Sequence, residues 1–508
     1  MAGKDTFQPF TGPKLLLAGL LLGLTNFMVV LDTTIANVSV GHIAGSMGVS
    51  TSQGTWVITS YAVAEAICVP LTGWLAGRFG TVRTFIIGMM GFGLFSILCG
   101  LSTSLTMIVV ARIGQGLCGG PLMPLTQTML LRIFPREKHA AAMGLWAMTT
   151  VTAPILGPIL GGSISDSWSW HWIFFINVPI ALLCIFGALR LLTPAETQLQ
   201  RLSIDKIGLL LLVVWIGALQ IMLDIGREHD WFEDTTIIIL ALIALVGAAL
   251  FIAWELTEEN PIVDLRVFRH RGYAVAVGTL SFAFAAFFAT VVLIPQWLQS
   301  SMGYTSTYAG YATAFTGMGA VIMSPIVPRL MKRFDPRAMV CFGILWLGFS
   351  SLLRVHWTSG ADFWSLAFPQ MVQGFGMPFF FIPLTTIALG AVRPAETASA
   401  AGLMSFLRTM GGAIGTSIST TLYANNISVA RSEMVGRLHT DATAQGLQAQ
   451  GFSTDQVRAA VEQVVMQESS TLAITHMFLL GAIIFVAAAT AIWLAPRPTR
   501  APAPGAAH

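Results

Sequence analysis

Hydrophobic positions in this chain do not alternate with polar ones. They come in runs of about twenty residues, the length that crosses a bilayer as a helix, separated by short stretches rich in charge, glycine and proline. The pattern predicts fourteen spans near residues 14–37, 53–76, 83–103, 105–131, 140–164, 170–192, 206–226, 235–256, 273–299, 308–331, 338–356, 364–390, 400–424 and 472–495. The polar turn at Ser102–Ser104 divides a run too long for one crossing. Without water to satisfy peptide groups, only helices or closed barrels span a membrane. The ten-residue alternations of a barrel do not occur, so the fold class is an all-α polytopic membrane protein.

Composition supports this. Of 508 residues 55% are hydrophobic and 10% charged, with a mean hydropathy of +0.74. Soluble domains carry about 25% charged residues, so this chain cannot clothe its surface for water. Cys68, Cys99, Cys118, Cys184 and Cys341 all fall in apolar runs without metal-ligand spacing and read as small packing residues. No metal site, nucleic-acid partner or cofactor is expected, and no cleavable leader.

Charge predicts orientation. With both termini cytoplasmic, 20 of the 27 Lys and Arg residues fall on the inner side. Five fall outside (Arg227, Arg354, Arg431, Arg437 and Arg458), while Arg112 and Arg408 lie within spans. Such a bias is what the positive-inside rule demands. One long outer loop, residues 425–471, reads as polar helix with Val457, Val461, Val464 and Val465 forming an apolar stripe at helical spacing. It is either a capping hairpin or a docking surface. The tail 496–508 is Pro/Ala-rich and is expected to be disordered.

The chain also resembles itself. PLTQTMLLRIFPREKHAAAMGL at 124–145 is similar to PLTTIALGAVRPAETASAAGL at 383–403, and Gln115-Gly116 precedes the first as Gln373-Gly374 precedes the second. Arg78-Phe79-Gly80 likewise matches Arg333-Phe334-Asp335. A parallel repeat predicts two pseudo-symmetric halves around a central path. The offset leaves room for two extra helices, giving a 6 + 2 + 6 plan. It comprises a six-helix bundle at 1–195, a two-helix insert at 196–265 and a second bundle at 266–495.

Ionisable groups inside the bilayer are costly and point to function. Asp32 lies 18 residues after Lys14 and Arg112 lies 20 before Arg132, roughly 27 and 30 Å along their helices. The two therefore share a depth at which contact is feasible. Glu65, 13 residues before Arg78, sits roughly 20 Å in, nearer the midplane. Asp32, Glu65 and Arg112 are the candidates for proton coupling. Asp32 read as a cap, or Glu65 as a neutral packing residue, is the structural alternative. Arg408 is the second half's counterpart charge. Candidates for a cavity that takes amphipathic organic molecules are Gln53, Trp56, Gln115, Gln127, Trp146, Gln296, Gln370, Gln373, Phe380 and Phe381.

Several motifs bear a family resemblance. GWLAGRFGTVR (Gly73 to Arg83) resembles the loop signature of the major facilitator superfamily, with Gly77 where that signature has an acidic residue. Arg112-Ile-Gly-Gln115-Gly116 is similar to its fourth-helix motif, and APILGPILGG (Ala153 to Gly162) to its antiporter motif. Leu31-Asp-Thr-Thr-Ile-Ala-Asn37 and Trp170-His-Trp-Ile-Phe-Phe-Ile-Asn177-Val-Pro179 resemble signatures of its fourteen-helix drug:proton antiporters. These matches are dense over the first 180 residues and sparse beyond them.

The resemblance implies a loop gate built on Gly73, Arg78, Gly80 and Arg83, with the arginines capping helix C-termini or pairing with Glu137. It gives Pro154, Gly157, Pro158, Gly161 and Gly162 a role in the gate, with plain helix packing as the alternative. Such a protein would export hydrophobic or amphipathic drugs across a bacterial inner membrane, driven by protons. A periplasmic adaptor (a membrane fusion protein) and an outer-membrane channel would be its partners. No G-x-x-x-x-G-K-[ST] pattern offers direct ATP drive. A specific exporter or importer of a metabolite, fatty acid or siderophore remains the alternative. A membrane enzyme would need clustered catalytic groups at one interface, and a sensor would need a soluble output domain; the sequence has neither.

Overall fold

A computed structural model describes residues 7–200, 203–437 and 453–496. Lys4, Arg201, Arg497, Arg500, the middle of the 425–471 segment and the 496–508 tail beyond Pro496 lie outside it. The described chain is a helical membrane protein. Thirteen of its helices are long and apolar enough to cross a bilayer. These are α1 (Gly12–Met47), α2 (Trp56–Phe79), α3 (Thr81–Gly100), α4 (Leu105–Ile133), α5 (His139–Ser167), α6 (Trp172–Ala195), α7 (Lys206–Ile225), α8 (Thr235–Thr257), α9 (Arg271–Ser300), α10 (Thr307–Leu330), α11 (Pro336–Arg354), α12 (Phe363–Gly390) and, after α13, α14 (Thr454–Leu494). The other, α13 (Thr397–Arg437), carries Arg408 and many glycine and hydroxyl side chains, and is the least apolar of the set.

Polar side chains set where helices start. Ser104, Asp205, Asp234, Thr305, Asp335, Asp362 and Ser453 each accept a hydrogen bond from a backbone N–H in the first turn that follows, satisfying donors that a helix cannot pair internally. Ser104 thereby enforces the break after Gly100. Between helices, apolar side chains face outward where lipid replaces water. On α8, Leu245 is 70% exposed within the protein, which is tolerable only in a hydrocarbon solvent.

The packing order repeats along the chain. Helix α1 lies on α5, α2 on α4, and α3 on α4 and α6; later, α9 lies on α13, α10 on α12, and α11 on α12 and α14. The repeated Gln-Gly pairs explain part of this. A Cβ on Gly116 would meet the carbonyl oxygen of Tyr61 on α2 at 2.6 Å, and one on Gly374 would strike that of Thr316 on α10. Both glycines let two backbones touch where a side chain would hold them apart.

Helices α7 and α8 pair with each other, and α7 runs along α2. Trp215 of α7 sits edge-on to Phe406 of α13 at 5.9 Å. The α7–α8 turn is pinned to α13 by Trp231 Nε1, which donates to Thr421 Oγ1 at 2.9 Å.

The described parts of the 425–471 segment continue two helices. Helix α13 runs to Arg437 and α14 begins at Thr454, joined by an Arg431–Glu462 ion pair of 2.8 Å. Val457 and Val465 of the predicted stripe are buried and Val461 is half-buried. Val464 is turned away and 58% exposed.

Candidate transport site

Five helices contribute to one cluster around a buried carboxylate. Asp32, in the middle of α1, receives Arg112 Nη1 at 2.6 Å, Gln115 Nε2 at 3.1 Å and Asn177 Nδ2 at 2.6 Å. Arg112 is spent on the same cluster. Its Nε donates to the Val57 carbonyl at 3.0 Å and Nη1 also reaches Gln115 Oε1 at 2.8 Å, while Tyr61 stacks beneath the guanidinium at 4.1 Å. Ser96 Oγ accepts from both Gln115 and Asn177 and donates to the Phe174 carbonyl. Asp32 and Arg112 are both fully buried. A buried charge survives only if paired and hydrogen-bonded, and here both conditions hold. The depth argument from sequence thus ends in contact.

Gln115 was expected in the cavity, but it belongs to this cluster because one turn of helix places its amide beside Arg112. Asn177 and Ser96 were not singled out. Asn177 lies inside a recognised motif, yet its role as an Asp32 donor emerges only across 145 residues of chain. Replacing Asn177 with Leu strips Asp32 of its shortest amide donor. A hydrogen bond to a charged group contributes about 1.5–3 kcal/mol. The expected outcome is a lower thermal midpoint in detergent, with Asn177→Asp falling further because it sets two carboxylates together.

Glu65, on α2, is half-buried and forms no ion pair or hydrogen bond among the described residues. It interacts electrostatically with Arg408, Arg112 and Asp32. Arg408, on α13, packs against Met123 Sδ on α4 and lies 5.4 Å from the Trp146 ring and 5.5 Å from that of Phe284. Trp146 in turn stacks flat on Phe381 at 5.5 Å, and Phe380 and Phe284 extend the aromatic wall. Gln127 is buried against Met143. Gln53, Trp56 (42% exposed) and Gln296 lie on exposed surfaces, apart from this wall.

A second fully enclosed arginine was counted from sequence as an outer-loop residue. Arg354 ends α11, yet it is fully enclosed. Its Nη2 donates to Gln373, to Gln370 at 2.9 Å and to the Pro369 carbonyl at 3.2 Å, while Nε and Nη1 have no hydrogen-bond partner among the described residues. Gln373, the repeat counterpart of Gln115, again serves an arginine; here that arginine comes from the neighbouring helix. The matched Gln-Gly pairs were the signal that pointed to it.

At the helix ends that carry Arg78, Arg132 and Arg337 (the basic end), the loop after α2 turns at Gly80 with φ +91, a conformation that glycine supplies without strain. Sequence suggested that Arg78 and Arg83 cap helix C-termini or pair with Glu137. The loop also receives an acidic group from just beyond the end of α6. Glu196 accepts the Val82 and Arg83 backbone N–H groups at 3.0 Å each, at the positive start of α3, and the Gly77 carbonyl accepts from Gln200 at 2.8 Å. Gly73 lies directly against Ser399 of α13. On α5, Gly157 and Gly161 face Thr34 and Ile35 of α1, Gly162 faces Thr307 of α10, and Pro158 approaches Gly310. Pro154 and Pro158 sit inside a helix that stays continuous.

A family model described as Major Facilitator Superfamily matches residues 22–416. The chain belongs to the major facilitator superfamily. This family of membrane transporters accounts for the repeated packing and the interior charges. The multidrug export protein EmrB of Escherichia coli (strain K12) is 43% identical over 497 residues, covering 97% of each chain. The fatty acid resistance protein FarB of Neisseria gonorrhoeae is 42% identical over 499 residues, covering 97% of this chain and 98% of its own. Among solved structures, the human organic anion transporter MFSD10 (TETRAN) covers 94% of this chain and 100% of its own with a TM-score of 0.56. At 14% identity it bears on the fold alone.

Proposed function

We propose that this major facilitator protein is a proton-driven antiporter that exports hydrophobic or amphipathic compounds across a bacterial inner membrane. The observation that carries the reading is the pair of interior carboxyls in contrasting states. Asp32 is locked to Arg112, Gln115 and Asn177, while Glu65 stands without a partner beside an aromatic wall. A fixed charge and a free one, side by side, are the elements that proton exchange needs. The relatives named for multidrug export support drugs as the cargo.

In this reading the basic end faces the cytoplasm, both termini lie inside, and the helices form a 6 + 2 + 6 plan with α7 and α8 as the insert. Alternating access rocks one six-helix bundle against the other. A periplasmic adaptor and an outer-membrane channel complete the export route. The far-end extension of α13 and α14 stands nearest to such a partner, because 41 residues of helix in α13 span about 61 Å, twice the hydrocarbon thickness of about 30 Å.

A test follows the proton. Proteoliposomes with an imposed pH gradient are expected to show drug-dependent proton movement with the intact protein. Asp32→Asn and Glu65→Gln should each bind drug and lose the proton flux. Unaltered flux in both variants rejects the assignment. The relative named for fatty acid resistance favours a second cargo, so a fatty acid is run beside an amphipathic cation; response to the acid alone replaces the multidrug reading with a narrower one.

A further inference from the structure

Helices α2 and α13 cross closely near the basic end, and two interior charges stand just beyond the crossing. Helices α2 and α13 meet where a Cβ on Gly402 would lie 2.9 Å from the Val69 carbonyl oxygen and 3.2 Å from Thr72 Cβ. Gly73 makes a second such contact with Ser399. The two helices run in opposite directions. Moving away from the basic end, Glu65 is four residues before Val69 and Arg408 is six after Gly402, about 6 and 9 Å along their axes. They therefore stand at matching height on facing helices.

Helix α4 confirms the level. A Cβ on Gly120 would lie 3.0 Å from the Glu65 carbonyl oxygen, and Met123, one turn on, carries the thioether against Arg408. Neither Glu65 nor Arg408 has an ion-pair partner among the described residues, and Glu65 is the carboxyl that acts on Arg408 electrostatically. The other titratable or charged groups that act on Glu65 are Tyr61 on α2, Asp32 on α1 and Arg112 on α4. Asp32 and Arg112 already neutralise each other at 2.6 Å, leaving Glu65 and Arg408 as the charges of this group without an ion-pair partner.

We infer that Glu65 and Arg408 form a charge latch between the two proposed halves, through which the protonation of Glu65 sets whether the basic end is shut. This rests on the proton-driven reading and gives Arg408 the role of a positioning residue. Ionised Glu65 attracts Arg408 and draws α13 onto α2 and α4, closing the crossing at Gly73 and Gly402. A proton on Glu65 removes that attraction and leaves Arg408 an isolated interior cation. The crossing then loosens toward the basic end. For an antiporter this order is productive: protonated, the carrier opens inward; on releasing the proton there and taking up drug, it closes and faces out.

Spin labels at Arg83→Cys and Arg393→Cys, in full-length protein with its five native cysteines replaced by serine, read the separation of the basic ends in nanodiscs. In the parent, the ratio of short to long distances should fall as pH falls. In Glu65→Gln the long distance should dominate at every pH, with the ratio changed about tenfold, within the usual range of couplings between sites. Arg408→Gln should do the same, while Arg408→Lys keeps the parent's response and Glu65→Arg with Arg408→Glu regains the short distance. A pH response in Glu65→Gln equal to the parent's overturns the latch, as does an Arg408→Lys that behaves like Arg408→Gln. The two readings fail separately. A working latch without drug-coupled proton flux in proteoliposomes rejects proton antiport, whereas coupled flux with an unresponsive crossing rejects the latch.

Discussion

Asp32→Asn is expected to abolish drug-coupled proton exchange and to shorten the protein's thermal half-life sharply, and Asp32→Asn with Arg112→Gln is expected to regain the half-life but not the exchange. The cluster makes these two effects separable. Three donors converge on the Asp32 carboxylate. An asparagine in its place offers one acceptor oxygen and turns an N–H toward groups that are themselves donors. Arg112 is then an uncompensated interior cation. Breaking a buried pair by removing one partner costs about 3–5 kcal/mol, whereas replacing both partners is often neutral. Gln at position 112 removes the orphaned charge and retains donors for Gln115 and the Val57 carbonyl.

Exchange is a different matter. Both variants remove the fixed negative charge against which Glu65 exchanges its proton, so flux should fall at least about a hundredfold in both, the two decades that about 2.7 kcal/mol represents. The measurement is irreversible thermal inactivation in detergent alongside proteoliposome proton flux. If the double variant is as unstable as the single one, Asp32 does not serve to neutralise Arg112 and the energetic account of the cluster falls.

The helices were legible because their limits are written in chemistry that the bilayer enforces. Arginine and lysine mark one side of the spans, and a bilayer fixes how long one span can be, so even the short break at Ser102–Ser104 was visible. The depth match of Asp32 and Arg112 was legible for a related reason: both are anchored by a basic residue at a known boundary, and a helix converts residue counts into distance.

Which face of each helix turns inward was not legible. In water a buried face announces itself by contrast with polar neighbours. In lipid both faces are apolar, so Gln296, Gln53 and Trp56 carried no sign that they lie apart from the aromatic wall formed by Trp146 and Phe381. Arg354 was hidden by the opposite effect. Its place at the end of a run reads as solvent, although α12 and α14 fold over it. Glu196 could not be assigned to the α2–α3 loop because 113 residues separate it from Arg83, and nothing local in either segment names the other.

Gly73→Val tests the closure at the basic end without touching a charge. A Cβ at position 73 would lie 2.7 Å from Ser399 Cα and 2.8 Å from Ser399 Cβ, closer than carbon atoms approach without repulsion. Part of what it meets is backbone, so no rotamer change relieves the clash and α13 must move away from α2. Overpacking a close contact typically costs about 1–3 kcal/mol. Taken from the closed state alone, that is roughly a fivefold to hundredfold shift in the balance between closed and open basic ends.

Export should therefore fall about tenfold or more, and the Arg83/Arg393 label pair should report a longer separation at all pH values. Gly73→Ala with Ser399→Gly should recover only part of the function, since Ser399 Cβ is then gone while its Cα remains in place. Gly157→Val supplies the contrast. Its clash is with Thr34, between α1 and α5, so it should impair stability while leaving the label separation and its pH response as in the parent. Full export by Gly73→Val with an unmoved label distance would show that the α2–α13 crossing is not the element that closes the basic end, and the closure would then have to reside in the contact of Gly144 on α5 with Ser324 and Pro328.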